Sequence, residues 1–250
     1  MVSVGAAFRR VTRALALLVV LVCAAPCMAS EHPSPDVDVV LYAGTRVPIH
    51  LGVGASVELP NRLGAQLELG VLPGAYVNGI NTVVQAFDGY NDATAELIEI
   101  ATRNALVVHL GARFRFVERL GLYASAGYTL ATLGGAATGE ELLEDVLGLE
   151  APAGADGSRS FDLGSTLHNL EFAFGWRFLL PKQWTLRTEL GLLWCASARA
   201  NVSSEGPTGG SPAARPNPGA FERAAEAYLV ETYETYVISP TLALWFGRRF

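Results

Sequence analysis

The chain has 250 residues, half of them hydrophobic, and a formal net charge of −6. This acidic balance argues against a nucleic acid partner, because binding a phosphate backbone requires a basic patch. Beyond the N-terminal segment, no continuous apolar stretch reaches the roughly 18 residues that identify a transmembrane helix. Two classes are left: a soluble domain, or a protein that crosses a membrane with strands.

Residues 1–30 have the pattern of a secretory signal peptide. Three arginines precede the apolar run 14–25, and small residues follow it up to Ala29. A basic start, a short apolar core and small residues before the cut are typical of such a signal. We therefore expect cleavage after Ala29 or Ser30, and a single domain over residues 31–250.

The three cysteines offer no intramolecular disulfide after export. Cys23 and Cys27 fall within the predicted signal, and Cys195 is alone in the remainder. A lipoprotein signal, modified at Cys23 or Cys27, is an alternative to the secretory one. Because no histidine is close to it in sequence, we interpret Cys195 as a small packed residue.

The rest of the chain alternates apolar and polar residues over segments of membrane-spanning length. Successive side chains of a strand point to opposite faces, so a period of two predicts a strand with one apolar and one polar side. Seven such segments are clear. Single-chain bacterial barrels normally have an even number of strands, so we expect an eighth, and the segment before the other seven supplies it. The predicted strands are residues 37–44, 51–59, 63–71, 105–117, 122–130, 169–180, 184–197 and 236–250.

Short and long connections between these strands alternate. This asymmetry is typical of an up-and-down barrel with short periplasmic turns and long outer loops. The sequence therefore predicts an all-β, antiparallel transmembrane barrel of about eight strands. The tight turns are 60–62, 118–119 and 181–183, the long connections are 73–104, 135–162 and 200–235, and Thr45–Pro48 is a further outer turn.

The long outer loops contain short helices by their periodicity. Apolar residues recur at helical spacing over 77–103, with a break at 88–91, and again over 221–232. A capping-box pattern opens a third helix at Thr138, and Gly148 is a plausible stop. Their apolar faces need cover, and the sequence leaves open whether they pack on one another, cap the barrel mouth or contact lipid.

The second outer loop is strongly acidic. Carboxylates favour hard divalent cations, which would bridge this loop to anionic lipopolysaccharide. We prefer the interpretation of a solvated charged helix, because no spacing matches a defined calcium loop. The acidic residues are Glu140, Glu141, Glu144, Asp145, Glu150 and Asp156.

The polar faces of the predicted strands carry a balanced set of charges among many small residues. Such a set can pair across a narrow lumen, where an unpaired buried charge would be costly. A soluble lipocalin-like periplasmic barrel that binds a ligand, with the faces inverted, is the alternative. The predicted lumen charge cluster is Glu58, Glu68, Arg113, Arg115, Glu171, Arg177, Arg187, Glu189 and Arg249.

Aromatic residues on the apolar faces lie near the predicted strand ends. Amphipathic rings at both interfaces form the girdles of membrane barrels. At one end they are Phe116, Phe178, Trp184, Phe246 and Phe250, and nearer the other end Tyr128, Trp194 and Tyr236.

The ending 236–250 resembles the C-terminal recognition strand of outer-membrane proteins, with Phe250 last and Leu242, Leu244 and Phe246 at alternate positions. Arg248 stands where that strand usually has an apolar residue. Nearly the whole of residues 31–250 resembles the small outer-membrane barrels, such as the membrane domain of outer-membrane protein A. The resemblance implies location in the bacterial outer membrane, contact with its lipid and lipopolysaccharide, and recognition by the barrel-assembly machinery.

We predict a non-enzymatic barrel with a structural or surface-interaction role. An eight-stranded barrel is just wide enough for side chains, so its charges would fill the lumen. A narrow or gated conduit for small solutes or ions is the alternative, because glycines on the polar face leave local space. These are Gly52, Gly54, Gly64, Gly70, Gly111 and Gly127.

Residues for enzymatic chemistry are sparse. Ser165 and His168 are three apart on a predicted strand, which places them on opposite faces. His109 lies on the polar face near arginines and is interpreted as an interior group. The sequence has neither a phosphate-binding glycine loop nor a metal-ligand cluster, and we expect no cofactor and no metal. It does not indicate a ligand for the outer loops.

Overall fold

The computed structural model describes residues 37–86, 92–102, 105–138, 160–205 and 220–250. Within these ranges, eight strands form a closed antiparallel barrel in which each strand pairs with its neighbours along the chain and β8 closes on β1. Strands β1 to β4 are Asp38–Val47, His50–Glu58, Leu63–Val71 and Leu106–Val117; β5 to β8 are Leu122–Thr138, Ser160–Leu179, Trp184–Glu205 and Ile238–Arg249. Helices α1 Gly74–Ala86 and α2 Asp92–Thr102 join β3 to β4, and α3 Ala220–Tyr236 precedes β8.

The apolar faces of the strands point out of the barrel and the charged faces point in. Phe174 on β6 is 70% exposed, whereas Glu171 on the same strand is 2% exposed. The alternation therefore has the orientation of a membrane barrel, with an apolar band outside and a polar interior. This contradicts the soluble lipocalin-like alternative, which requires the apolar residues inside.

Three neighbouring strands are much longer than the sequence analysis predicted. Strands β5, β6 and β7 have 17, 20 and 22 residues, whereas β1, β2 and β3 have 10, 9 and 9. About 9–11 residues are enough for a strand to cross a bilayer. The outer halves of β5 to β7 therefore form a three-stranded sheet, the outer extension, where the sequence analysis placed long connections.

Both faces of β6 and β7 change character where the outer extension begins. Outside, exposed Phe172 and Leu170 give way to Thr166 and Asp162; inside, Glu171 gives way to Leu167 and Leu163. A bulge in β7 accompanies the change, since His168 pairs with Ser197 and Asn169 with Cys195. The extra residue, Ala196, keeps Ala198 and Val202 on the inner face. Below the bulge the outer surface of the barrel is apolar, which suits contact with lipid. Above the bulge the outer surface is polar, which suits contact with water.

The apolar inner face of the outer extension is covered by helices. Helix α3 packs on β7 and α2 on β5. Ala225, Leu229 and Tyr233 of α3 are spaced by four residues and lie buried against Leu167 and Val202 in one hydrophobic cluster. Of the alternatives that the sequence left open, α2 and α3 cap the barrel mouth, and α1 packs against α2. We call this packed layer the outer cap.

No helix within the described ranges combines the length and apolar character needed to cross a membrane.

Several predicted features lie outside the described ranges. They include the predicted signal peptide, the break at 88–91, the acidic residues of the loop 139–159 and the segment 206–219. The helices on either side of that break are present as α1 and α2, and the predicted helix 221–232 lies within α3.

Replacing Leu229 by Asp should detach the outer cap without opening the barrel. Leu229 is 2% exposed between α3 and the outer extension, and a charge buried there has no partner to offset its desolvation. Limited proteolysis within α3 should become at least ~10-fold faster, because local opening governs cleavage. The heat-modifiable migration of the barrel should persist. Thr235→Asp, which adds the same charge at an exposed position of α3, should change neither property.

Candidate functional site: the barrel lumen

The lumen holds charged residues in two groups at different heights. The central ion cluster consists of Arg46, Glu68, Glu171 and Glu189. The turn-end cluster consists of Glu58, Arg113, Arg115 and Arg177 and lies towards the short turns. Alternation along β1 to β7 directs all of these side chains inward.

Arg46 joins three glutamates that come from three different strands. Its Nη1 lies 2.5 Å from Oε1 of Glu171, and its Nη2 lies 2.8 Å from Oε2 of Glu189. Nη2 and Nε also donate to Glu68, at 3.1 and 3.3 Å from Oε2. Each of these side chains is at most 2% exposed. Charge-assisted bonds of this kind are the strong class of hydrogen bond, and here they link β1 to β3, β6 and β7.

Each glutamate of the central ion cluster also accepts a hydrogen bond from a hydroxyl group. Thr241 donates to Glu171 at 2.9 Å and Tyr123 to Glu189 at 2.8 Å, while Tyr42 donates to Glu68 at 3.4 Å. Buried carboxylates need such additional donors, because a single ion pair seldom repays the desolvation of both charges. The cluster is thus supported by a layer of neutral donors.

Two buried histidines flank the central ion cluster. Nε2 of His50 lies 3.3 Å from Oε2 of Glu68. His109 is held by its two ring nitrogens, with Nδ1 2.8 Å from Oγ1 of Thr129 and Nε2 3.1 Å from Nε2 of Gln66. Both imidazoles are at most 2% exposed. The lumen is thereby packed with side chains at this height.

The turn-end cluster has the opposite charge balance. Glu58 lies 3.0 Å from Arg113, 3.4 Å from Arg115 and 3.9 Å from Arg177. Arg187 is the cross-strand partner of Arg177, and its Cζ lies 4.0 Å from the centre of the Tyr42 ring. One carboxylate therefore serves several arginines.

Arg249 lies apart from the other residues of the predicted lumen charge cluster. Its side chain is 33% exposed and pairs with Asp38 at 3.5 Å. The pair joins the last residue of β8 to the first of β1, at the end of the barrel. The remaining eight members are distributed over the central ion cluster, the turn-end cluster and Arg187.

Arg46 is the functional residue that sequence reasoning missed. Thr45–Pro48 was predicted to be an outer turn, but β1 continues to Val47 and the turn is formed by Pro48 and Ile49. The alternation of Asp38, Tyr42 and Gly44 with apolar neighbours, continued by one more step, would have placed Arg46 inside.

The space left by interior glycines is occupied by rings. A Cβ at Gly54 would overlap the Tyr42 ring, and one at Gly127 would overlap His109. At Gly70 the neighbour is His50, 2.7 Å away. These three glycines are among those that favoured the conduit alternative. At each of them the absence of a Cβ makes room for a ring of Tyr42, His109 or His50.

The residues considered for catalysis do not come together. Ser165 faces inward, 3.4 Å from the hydroxyl of Tyr233, whereas His168 faces outward, 2.5 Å from the hydroxyl of Tyr128. Burial raises the pKa of Tyr233, so its hydroxyl stays neutral in the outer cap. Cys195 is half-buried and packs against the hydrophobic cluster of that cap. Among the described residues, no three His, Cys, Asp or Glu side chains are grouped to hold a metal ion.

The predicted assembly residues and the predicted girdle aromatics of the strands lie on the outer surface of the barrel. Tyr236, also predicted for the girdle, is instead the last residue of α3, because β8 begins only at Ile238. Trp184 stacks on Phe246, with ring centres 4.7 Å apart near the short turns, and Phe172 stacks on Trp194 at 5.4 Å near the other edge. Arg248 lies 5.6 Å from the centre of the Phe250 ring. The four assembly residues, Leu242, Leu244, Phe246 and Phe250, are all exposed.

The architecture is that of an outer-membrane β-barrel. No family model and no curated protein sequence matches the chain. A structure of a major outer membrane protein from Thermus thermophilus is similar, with 15% identity and a TM-score of 0.48, over 86% of this chain and 98% of that one. CarO2 from Acinetobacter baumannii has 12% identity and a TM-score of 0.39, over 85% and 98% of the two chains. CarO from the same organism has 10% and 0.35, over 84% and 97%.

Replacing Gly175 by Ala should destabilise the barrel, because the new Cβ would overlap the ring of Tyr123, whose hydroxyl supports Glu189. Overpacking of this kind costs about 1–3 kcal/mol. The urea midpoint in lipid vesicles should fall accordingly. Gly164→Ala on the same strand is the control, since the atom nearest its Cβ is the carbonyl oxygen of Asn201, 3.9 Å away. Equal midpoints for the two variants would show that Tyr123 is not held in this position.

Proposed function

We propose that this chain is a closed, non-enzymatic barrel of the bacterial outer membrane with a structural or surface-interaction role. The observation that carries the proposal is Arg46, which binds carboxylates from three strands and so fills the lumen at mid-height. The apolar outer surface and the predicted secretory signal support the location.

The position of the strands around the barrel explains why Arg46 closes it. In the ring of eight strands, β3 is two strands from β1 on one side, while β6 and β7 are three and two strands away on the other side. Contacts to both sides require the guanidinium to reach across the interior. A solute on this path would have to displace several charge-assisted hydrogen bonds at once.

The outer cap forms a second barrier above the central ion cluster. Leu163 and Leu167 of β6 pack with Leu229 and Tyr233 of α3 across the mouth of the barrel. An apolar layer opposes the passage of ions, because an ion that enters it loses its hydration shell and gains no polar groups in exchange. Two barriers of different chemistry in series favour a closed barrel.

The outer extension supplies the surface for interaction. Its outward face carries exposed Asp162, Arg199, Asn201 and Ser203, so it is suited to water and polar partners. Below it, the apolar band contacts outer-membrane lipid, and the polar edge above meets lipopolysaccharide. Leu242, Leu244, Phe246 and Phe250 form the outward face of β8 that the barrel-assembly machinery recognises.

A narrow or gated conduit is the competing function. It is favoured by the surplus of acid in the central ion cluster, where three carboxylates surround one guanidinium. If Arg46 moved aside, the remaining glutamates would line a cation path. The two functions differ in whether the resting barrel conducts.

Planar-bilayer recordings separate the two functions. The wild-type protein should be silent, whereas Arg46→Ser should give small, cation-selective steps, because removing the guanidinium leaves Glu68, Glu171 and Glu189 in the lumen. Arg249→Ser removes the same charge from the partly exposed pair with Asp38 and should stay silent. Folding of each variant is checked by heat-modifiable migration. A steady ohmic conductance of the wild type would favour the conduit.

A further inference from the structure

Two consecutive arginines at the end of β8 lie on opposite faces of the barrel wall. Arg249 is on the inner side and pairs with Asp38 at 3.5 Å. Arg248 is exposed on the outer side, in line with Phe246 and Phe250. Within the described ranges, no carboxylate is paired with Arg248. The outer surface therefore carries a positive charge at the turn end of its apolar band.

Aromatic and apolar side chains surround Arg248. Its register partners are Trp184 on β7 and Leu41 on β1, and both are exposed on the same outer face. The guanidinium carbon lies 5.6 Å from the centre of the Phe250 ring, and Trp184 stacks on Phe246. A cation on the lipid face is tolerated near the interface, where its stem lies along apolar groups and its charge reaches the headgroups.

Lys182 adds a second cation next to Trp184. It lies in the short turn that leads into β7, two residues before Trp184, and it is exposed. The two basic residues thus adjoin the same tryptophan, Lys182 along the chain and Arg248 across the sheet. Guanidinium and ammonium groups both donate charge-assisted hydrogen bonds to phosphate. An indole ring suits the boundary between acyl chains and headgroups, because it is apolar and has one N–H donor.

The charges on the two ends of the barrel indicate which leaflet supplies the phosphate. The three short turns contain one basic residue each, Arg62, Arg119 and Lys182, and Glu118 is the one acidic residue in them. Helix α3 of the outer cap instead has four glutamates and one arginine. Anionic lipid is attracted to a basic end and repelled by an acidic one. Short turns face the periplasm in an up-and-down barrel, so the periplasmic leaflet is favoured.

We propose that Arg248 and Lys182, with Trp184, bind the headgroup of an anionic phospholipid such as phosphatidylglycerol in the periplasmic leaflet. We call these three residues the headgroup site. The lipid phosphate accepts hydrogen bonds from both cations, while the acyl chains lie along the apolar band. The inference rests on the proposed location in the outer membrane, and it is independent of whether the lumen conducts. It gives a role to Arg248, which stands where the recognition strand usually has an apolar residue.

Quenching of tryptophan fluorescence by brominated lipids measures which lipid lies next to the barrel. The wild-type protein is folded from urea into phosphatidylcholine vesicles that contain equal mole fractions of either brominated phosphatidylglycerol or brominated phosphatidylcholine. Trp184 is exposed within the headgroup site and reports the local lipid. The binding constant should favour phosphatidylglycerol about fivefold or more, the factor that one basic residue near an anionic surface contributes. Equal quenching by the two lipids, with heat-modifiable migration intact, would overturn the headgroup site and leave the proposed barrel standing.

Matched arginine variants test whether the preference is local. Arg248→Gln should lower the preference for phosphatidylglycerol about fivefold, and Lys182→Gln should lower it in the same direction. Arg119→Gln removes the same charge from an exposed residue in the turn between β4 and β5, away from β7 and β8, and should leave the preference unchanged. Folding of each variant is checked by heat-modifiable migration. Equal losses for Arg248→Gln and Arg119→Gln would mean a diffuse attraction to the basic end and would overturn the proposal.

Discussion

The burial of one guanidinium in a lumen just wide enough for side chains constrains the rest of the structure. Arg46 is 1% exposed, so its charge is tolerated only where carboxylates and their own donors surround it. Glu68, Glu171 and Glu189 meet this requirement from strands on both sides of β1. The contacts fix the relative heights of these strands, and the interior glycines follow from them, because the rings beside the cluster need the space. At this height the lumen is occupied by buried side chains.

Strands β5 to β7 pass through two environments, lipid in their lower part and water in the outer extension. In the lower part lipid surrounds the wall and charges fill the interior; in the outer extension water surrounds it, and an apolar interior is covered by α2 and α3. The bulge beside Asn169 stands where the two arrangements meet. It allows one continuous strand to keep the correct side chains inside at both heights. The outer extension and its cap are thereby held by the strands of the barrel rather than by a separate domain.

The alternation of side chains predicted most of the fold, because a period of two is visible wherever one face meets lipid and the other meets charge. The alternation did not predict the strands where the two faces no longer differ in this way. In the outer extension the inner face is apolar and the outer face is small and polar, so residues such as Leu163 and Thr166 resemble a loop. Arg46 was missed because it lies in the segment Thr45–Pro48, which was predicted as an outer turn, whereas β1 continues to Val47. The pairing of charges across the lumen depends on strand positions that one sequence does not contain.

The central claim is that Arg46 and its glutamates form one coupled unit. A double-mutant cycle in lipid vesicles, with Arg46→Met, Glu171→Gln and the double variant, measures the coupling free energy of unfolding. The account predicts about 2 kcal/mol or more, with a loss of about 3–5 kcal/mol for Arg46→Met alone. The matched cycle of Arg249 with Asp38, which are partly exposed, should give about 1 kcal/mol or less. Equal, small coupling in both cycles would contradict the account.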